Sequence, residues 1–155
     1  MTKFTQANSV REIDAARDLF LEYAESLDFD LCFQDFDREL ADLPGEYAQP
    51  EGRLLLAVYR GEVAGCVALR KAGEGVCEMK RLWVRPQYRG FRIGRNLVNR
   101  IISEAKQIGY CTMMLDTIFS MKDAIALYET LGFKRAEPYY ENPVEGAIYM
   151  ELNLQ

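Results

Sequence analysis

EMKRLWVRPQYRGFRIG, residues Glu78–Gly94, decides how this chain reads. Its first part has strand character, Pro86 opens a turn, a basic glycine loop follows, and beyond Gly94 apolar residues recur at helical spacing. Strand, loop and helix in this order gather backbone N–H groups with Arg89, Arg92 and Arg95 around one helix N-terminus. There the orphan amides point outward and the helix dipole favours negative charge, so a phosphate suits the place. The whole chain carries a net charge of −5. A cationic cluster on that acidic background points to an anionic small ligand rather than to nucleic acid.

Outward from this stretch the chain organises simply. Upstream, Phe4 to Asn8 reads as a first strand, and Ser9-x-x-Glu12 is a capping box. It opens a helix with Val10, Ile13, Leu19, Phe20 and Tyr23 on its apolar positions. Asp28 to Asp42, DFDLCFQDFDRELAD, reads as a loop and a short helix ended by Pro44-Gly45. Arg53 to Arg60 and Val63 to Arg70 are strands joined by a Gly61-Glu62 hairpin turn. Lys71 to Gly75 is the next turn, and Val76 to Val84 the next strand. Downstream, Gly94 to Gly109 is a helix with Leu97, Ile101, Ile102 and Ala105 inward and Gly109 as C-cap. Cys111 to Asp116 is a buried strand, Ser120-x-x-Asp123 caps a helix ending at Gly132, and Phe133–Ala136 and Ala147–Leu154 are the last strands. Antiparallel strands first, then strand–helix–strand–helix–strand, imply a mixed sheet flanked by helices, α/β in the broad sense of α+β. The crossover makes the strands at Val76 and Cys111 parallel neighbours.

At 155 residues, 49% hydrophobic and 28% charged, the expectation is one domain, 1–155, with a real core. No apolar run approaches the ~20 residues that span a bilayer, and the N-terminus lacks a signal-peptide apolar region. Cytoplasmic residence without membrane or nucleic-acid partners is therefore expected. The chain has four cysteines and no histidine. No metal is expected, and Ser-His or Cys-His hydrolases are excluded. Cys66, Cys77 and Cys111 lie in apolar runs and read as buried small hydrophobes. The motifs G-x-G-x-x-G and G-x-x-x-x-G-K-[ST] are absent, which removes the usual dinucleotide and nucleotide readings.

Two blocks carry a family resemblance. Arg89-Gly90-Phe91-Arg92-Ile93-Gly94, preceded by Leu82-Trp83-Val84-Arg85-Pro86, resembles the pyrophosphate loop of the GNAT superfamily of acyl-CoA-dependent N-acyltransferases, usually Arg/Gln-x-x-Gly-x-Gly/Ala after Val-x-Pro. Arg92 stands where the family has its first glycine; a helical loop there would tolerate any side chain. Ala124-Ile125-Ala126-Leu127-Tyr128-Glu129-Thr130-Leu131-Gly132-Phe133 is similar to the family's A-x-x-L-Y-x-x-x-G-F. The resemblance implies a GNAT-like, mostly antiparallel mixed sheet of six to seven strands with about four helices. It also implies two central strands that splay to admit the cofactor arm.

The resemblance further implies acetyl-CoA as co-substrate, an amine acceptor and direct transfer in a ternary complex; a homodimer stays open. Leu82, Trp83 and Val84 are the strand segment beside the cofactor. Backbone groups of Leu82 and Val84 bind its amides and thioester like an added strand, while Trp83 faces away and packs. Arg89 through Arg95 (Arg89, Gly90, Phe91, Arg92, Ile93, Gly94 and Arg95) take the pyrophosphate, whereas Arg85 reads equally as solvent-exposed. Tyr128 matches the tyrosine that protonates the departing thiolate. Glu78 matches a general base and is expected to have a raised pKa in a half-buried cleft; Asp116 matches the base of another branch and ranks second. Met121 stands where many members carry an asparagine, leaving Ser120 or the backbone to hold the cofactor arm. For the acceptor, Asp30 and Phe33 in the acidic aromatic stretch and Tyr139, Tyr140 and Asn142 in the last loop form facing walls. The acids would suit a cationic amine. The competing reading is a non-catalytic acyl-CoA-binding module on the same fold.

Overall fold

The computed structural model describes residues 2–155. Seven strands form one sheet: β1 Thr2–Gln6, β2 Arg53–Tyr59, β3 Glu62–Gly73, β4 Val76–Val84, β5 Thr112–Ile118, β6 Lys134–Ala136 and β7 Ala147–Asn153. Their order is β1-β2-β3-β4-β5-β7-β6. Every pairing is antiparallel except β4 with β5. Four α-helices accompany it: α1 Val10–Glu25, α2 Phe36–Asp42, α3 Ile93–Ile108 and α4 Lys122–Thr130. The expected strand number, helix number and mixed character hold.

Alternation along the strands makes two cores, one on each face. Leu55, Ala57, Leu69, Cys77, Met79, Met113 and Leu115 pack against Leu97, Val98, Ile101 and Ala105 of α3 and Ile125 and Tyr128 of α4. Leu54, Leu56, Cys66 and Ala68 pack against Ala16, Leu19 and Phe20 of α1 and Phe36 of α2. Each fully buried large aliphatic contributes roughly 1.5–3 kcal/mol, so these two layers fix the sheet between its helices.

Local chemistry sets the element ends. The Ser9–Glu12 capping box is present, with Ser9 accepting from the Glu12 amide at 3.1 Å, worth about 1 kcal/mol. Gly109 closes α3 at φ 110°. Several local expectations fail. The β2–β3 hairpin turns at Arg60-Gly61 rather than Gly61-Glu62, since Tyr59 pairs with Glu62. Both loop residues have positive φ, 51° and 83°, the mirror-image turn that matches strand twist. The strand β3 runs on through Lys71 to Gly73. Helix α4 has Met121 at its N-cap with no side-chain bond, so Ser120 caps nothing. Cys66 and Cys77 are buried, but Cys111 is exposed, because it precedes β5 instead of lying within it.

Strand β4 is irregular on both of its edges. Its parallel pairing with β5 covers only Val76–Thr112, Cys77–Met113 and Glu78–Met114; beyond these the strands separate. On the β3 side, Cys66 pairs with Trp83 and Ala68 with Lys80, so Val67 faces both Arg81 and Leu82. This is a β-bulge, and Arg81 sits at φ 61°.

Candidate active site

The separating strands open a cavity of about 520 Å³. Its walls come from β4 (Lys80–Val84), the loop and start of α3 (Arg89, Gly90, Arg92–Gly94), β5 (Leu115–Ile118), α4 (Met121–Ala124, Leu127, Tyr128) and the end of α1 with its following loop (Tyr23, Leu27, Phe29, Leu31, Phe33).

One end suits an anion. Arg92 is the N-cap of α3, in the left-handed region at φ 62°, ψ 19°, with no side-chain cap. The loop is therefore not helical at Arg92 as expected; the arginine adopts the glycine-like angle, a strain of about 1–2 kcal/mol. The first-turn amides of α3 are left for another acceptor. Gly90, at φ 94°, has open space where a Cβ would stand. Arg89 and Arg92 line this end. Arg89 lies over the Trp83 ring at 4.8 Å and donates to the Val84 carbonyl at 3.0 Å. Phe91 and Arg95 are not among the lining residues; Phe91 stacks on Tyr59 at 5.2 Å. Arg85 is only partly exposed: it holds Glu22 at 2.8 Å and the Val63 carbonyl at 2.9 Å.

Along the middle, the Arg85 amide donates to Ala64 of β3 at 2.8 Å. Alternation then aims the Val84 amide, and by the same period Leu82, into the gap that β5 has left. These groups can pair with an extended amide-bearing chain as an added strand would. Trp83 faces α1, edge-on to Tyr23 at 6.4 Å, and donates to Glu22 at 3.2 Å. Ser120, Met121 and Lys122 line the opposite side, where Thr117 donates to the Met121 sulfur at 3.5 Å.

The two candidate bases differ. Glu78 is 2% exposed and does not line the cavity. It accepts from Arg70 at 2.9 Å and from the Tyr139 hydroxyl at 2.6 Å, with Lys80 at 3.7 Å. Burial would raise its carboxyl, but Lys80, Arg70 and Tyr139 outweigh burial and hold it below the usual range. The expected raised value is thus reversed by its ion pairs. Asp116 does line the cavity. It accepts from the Tyr140 hydroxyl and from Asn142 Nδ2, the latter at 2.9 Å. Tyr128, 6% exposed, packs against Phe133 at 5.6 Å. Burial, with the nearby Tyr23 and Asp116, pushes its hydroxyl up, so it stays protonated across the neutral range.

The acidic wall expected for an acceptor is not formed by the described residues of Asp28–Asp42. Asp30 is exposed, turns back to accept from the Cys32 amide at 2.8 Å, and does not line the cavity. Glu39 is spent on Arg81, at 2.8 and 2.9 Å. Phe33 and Asn142 line the cavity; Tyr139 and Tyr140 do not. These tyrosines instead lock Glu78 and Asp116, and Gln34 donates to Tyr140 at 3.0 Å, tying the two expected walls together. Tyr23, Lys80 and Arg81 are cavity residues that the sequence reading missed. Tyr23 carried only its helical period, and Lys80 and Arg81 only their place in the strand Val76–Val84.

The bulge explains these two cations. Met79 and Leu82 belong to the α3 face, whereas Lys80, beside Glu78, and Arg81, beside Tyr23 and Phe36, both turn to the α1–α2 face. Burial pulls the Lys80 ammonium below the ordinary lysine range, opposed by Glu78.

Comparison with known proteins agrees with this geometry. The model of the Acetyltransferase (GNAT) family matches residues 13–133. An uncharacterized N-acetyltransferase of Schizosaccharomyces pombe is 42% identical, over 93% of this chain and 90% of its own. A GNAT-family acetyltransferase from Staphylococcus aureus superposes with TM-score 0.83 at 18% identity, covering 100% of both chains. The yncA protein of Salmonella typhimurium, solved with its cofactor acetyl-CoA, gives TM-score 0.71 at 18% identity over 99% of this chain and 94% of its own. With the strand order, the splayed β4–β5 pair and both sequence blocks in place, the chain belongs to the GNAT family of acetyltransferases.

Proposed function

We propose that the protein moves an acetyl group from acetyl-CoA to a primary amine of a small molecule or peptide, by direct attack in a ternary complex. The observation that carries this reading is one cavity with an uncapped helix N-terminus and arginines at one end and Tyr128 with Asp116 among its lining residues. The α3 amides with Arg89 and Arg92 take the pyrophosphate. Leu82 and Val84 hold the extended arm, and the Leu82 amide polarises the acyl carbonyl.

Asp116 receives the amine proton, directly or through water, as the C–N bond forms. Tyr128 gives its proton to sulfur as the C–S bond breaks. Asp116 ranks above Glu78 in this reading because Glu78 lies behind the wall with its oxygens engaged by Arg70 and Tyr139.

An amine-library screen with free-thiol detection tests the reaction. Tyr128→Phe and Asp116→Asn should each lower kcat by about 10²–10⁴-fold while acetyl-CoA still raises the thermal midpoint, since it binds the native state. Turnover surviving within a few-fold in either variant removes that residue from the chemistry. No thermal shift at millimolar acetyl-CoA removes the cofactor assignment.

A further inference from the structure

We infer that the acceptor amine also carries a carboxylate, as an amino acid does, and that Lys80 holds that carboxylate. This rests on the acceptor side assigned under the proposed function and adds the substrate's second charged group.

The cavity meets two cations without their acids. Lys80 and Arg81 line it, while Glu78 and Glu39 do not. The bulge at Arg81 thus sends two successive cationic residues to one face of the sheet, where both line the cavity. Arg81 is satisfied: Glu39 takes its Nε and Nη2, and its guanidinium lies over Tyr23 and Phe36 at 5.8 and 5.3 Å. Lys80 is not. Its residue is 6% exposed, yet its ion-pair neighbour Glu78 lies at 3.7 Å, beyond hydrogen-bonding reach. Glu78 is already engaged by Arg70 and Tyr139. An ammonium has three donors; that of Lys80 makes no hydrogen bond to the described residues and is not among the buried unpartnered groups, so its donors face water that an arriving anion would replace.

Polarity then matches a zwitterion. The groups that bias the Lys80 charge are Glu78, Arg81, Asp116 and Arg70. Of the acids among them, Asp116 lines the cavity. An amine at Asp116 and a carboxylate at Lys80 satisfy both groups with one small molecule. Leu27, Phe29, Leu31 and Phe33 on the facing wall supply an apolar surface for the remainder. A plain cationic amine would bring Lys80 no acceptor and add a like charge beside it.

The test compares free L-amino acids with their primary carboxamides, which keep shape and lose the negative charge. Two readouts are used: kcat/KM for acetyl transfer, and calorimetric titration of the same compounds into protein saturated with free CoA, which needs no chemistry. The expected result is a preference of at least tenfold for one or more amino acids over the matching carboxamide. Lys80→Met, which keeps length and removes charge, should reduce that preference to near unity. Carboxamides equal to or better than amino acids in the unaltered protein overturn the inference, and so does a preference that survives in Lys80→Met. Should Lys80→Met fail to fold, the unaltered protein's carboxylate-to-carboxamide ratio still decides. Turnover without carboxylate preference refutes the inference and leaves the acetyl transfer standing. Selective binding without turnover refutes the transfer and leaves the inference standing.

Discussion

Glu78→Gln separates a structural carboxylate from a catalytic one. The side chain of Glu78 is 3% exposed and faces Arg70, Lys80 and the Tyr139 hydroxyl. Glutamine keeps the shape and an acceptor for Arg70 but removes the charge, leaving two cations facing a neutral group. Removing one partner of a buried pair costs about 3–5 kcal/mol. Arg70 retains Glu46 at 2.8 Å, itself 72% exposed, so the lower end, about 3 kcal/mol, is expected. At about 2–4 °C per kcal/mol for a chain of this size, the midpoint should fall by roughly 6–12 °C.

The pH dependence comes from the sign of the shift. The folded carboxyl is held below its ordinary value, so its contribution is fully present above the unfolded pKa of about 4.3. It is lost as pH falls through the lower folded value. Urea titrations of both proteins at pH 7 and at successively lower pH should show a gap that closes on acidification. Turnover per folded molecule should stay within a few-fold. A gap below about 1 kcal/mol at pH 7, or one that persists in acid, refutes the ion-pair reading. A hundredfold loss of kcat with a flattened acidic limb of kcat/KM would return the base to Glu78.

Three further outcomes are expected from particular contacts. Arg92→Gly removes the left-handed strain and should raise the ligand-free midpoint by about 2–4 °C, read by thermal denaturation; a lower midpoint would mean that the Arg92 side chain holds the loop. Tyr47→Phe deletes a buried hydroxyl that has no partner among the described residues and should leave urea stability equal or higher by up to about 1 kcal/mol, whereas a loss would reveal a bond to water. Gly65→Ala would place a Cβ 2.5 Å from the Trp83 carbonyl oxygen; because the atom it meets is backbone, it should cost about 1–3 kcal/mol or more, and an unchanged midpoint would show that β3 yields there.

The sequence exposes what depends on local order and hides what depends on the bulge. Strand β4 was legible to the residue, Val76–Val84, because a turn at Gly75 precedes it and Pro86 follows it. The Ser9–Glu12 box was legible because both bonding groups lie within one turn. The hairpin slipped by one because Gly61 could serve as either central residue, and only pairing with β3 assigns Arg60 to the turn. Lys80 and Arg81 were invisible as cavity residues because period-two alternation would have sent them to opposite faces. The extra residue at the bulge sends both to one face. The acidic run from Asp28 to Asp42 misled because composition does not say which way a loop residue turns: Asp30 closes its own turn, and the neighbouring Phe29 and Phe33 enter the cavity.

The short β4–β5 ladder has a mechanical consequence. With three paired positions joining them, β1–β4 and β5–β7 form two panels that meet along a seam. On the α1–α2 face the seam is crossed by two stitches, Tyr139 to Glu78 and Gln34 to Tyr140. A ligand lying against Leu82 and Val84 supplies the missing rungs. Amide hydrogen exchange should therefore run faster at the far end of β4 than at its paired end, Val76–Glu78, in the free protein. It should slow there on acetyl-CoA binding, so that the co-substrate also closes the sheet.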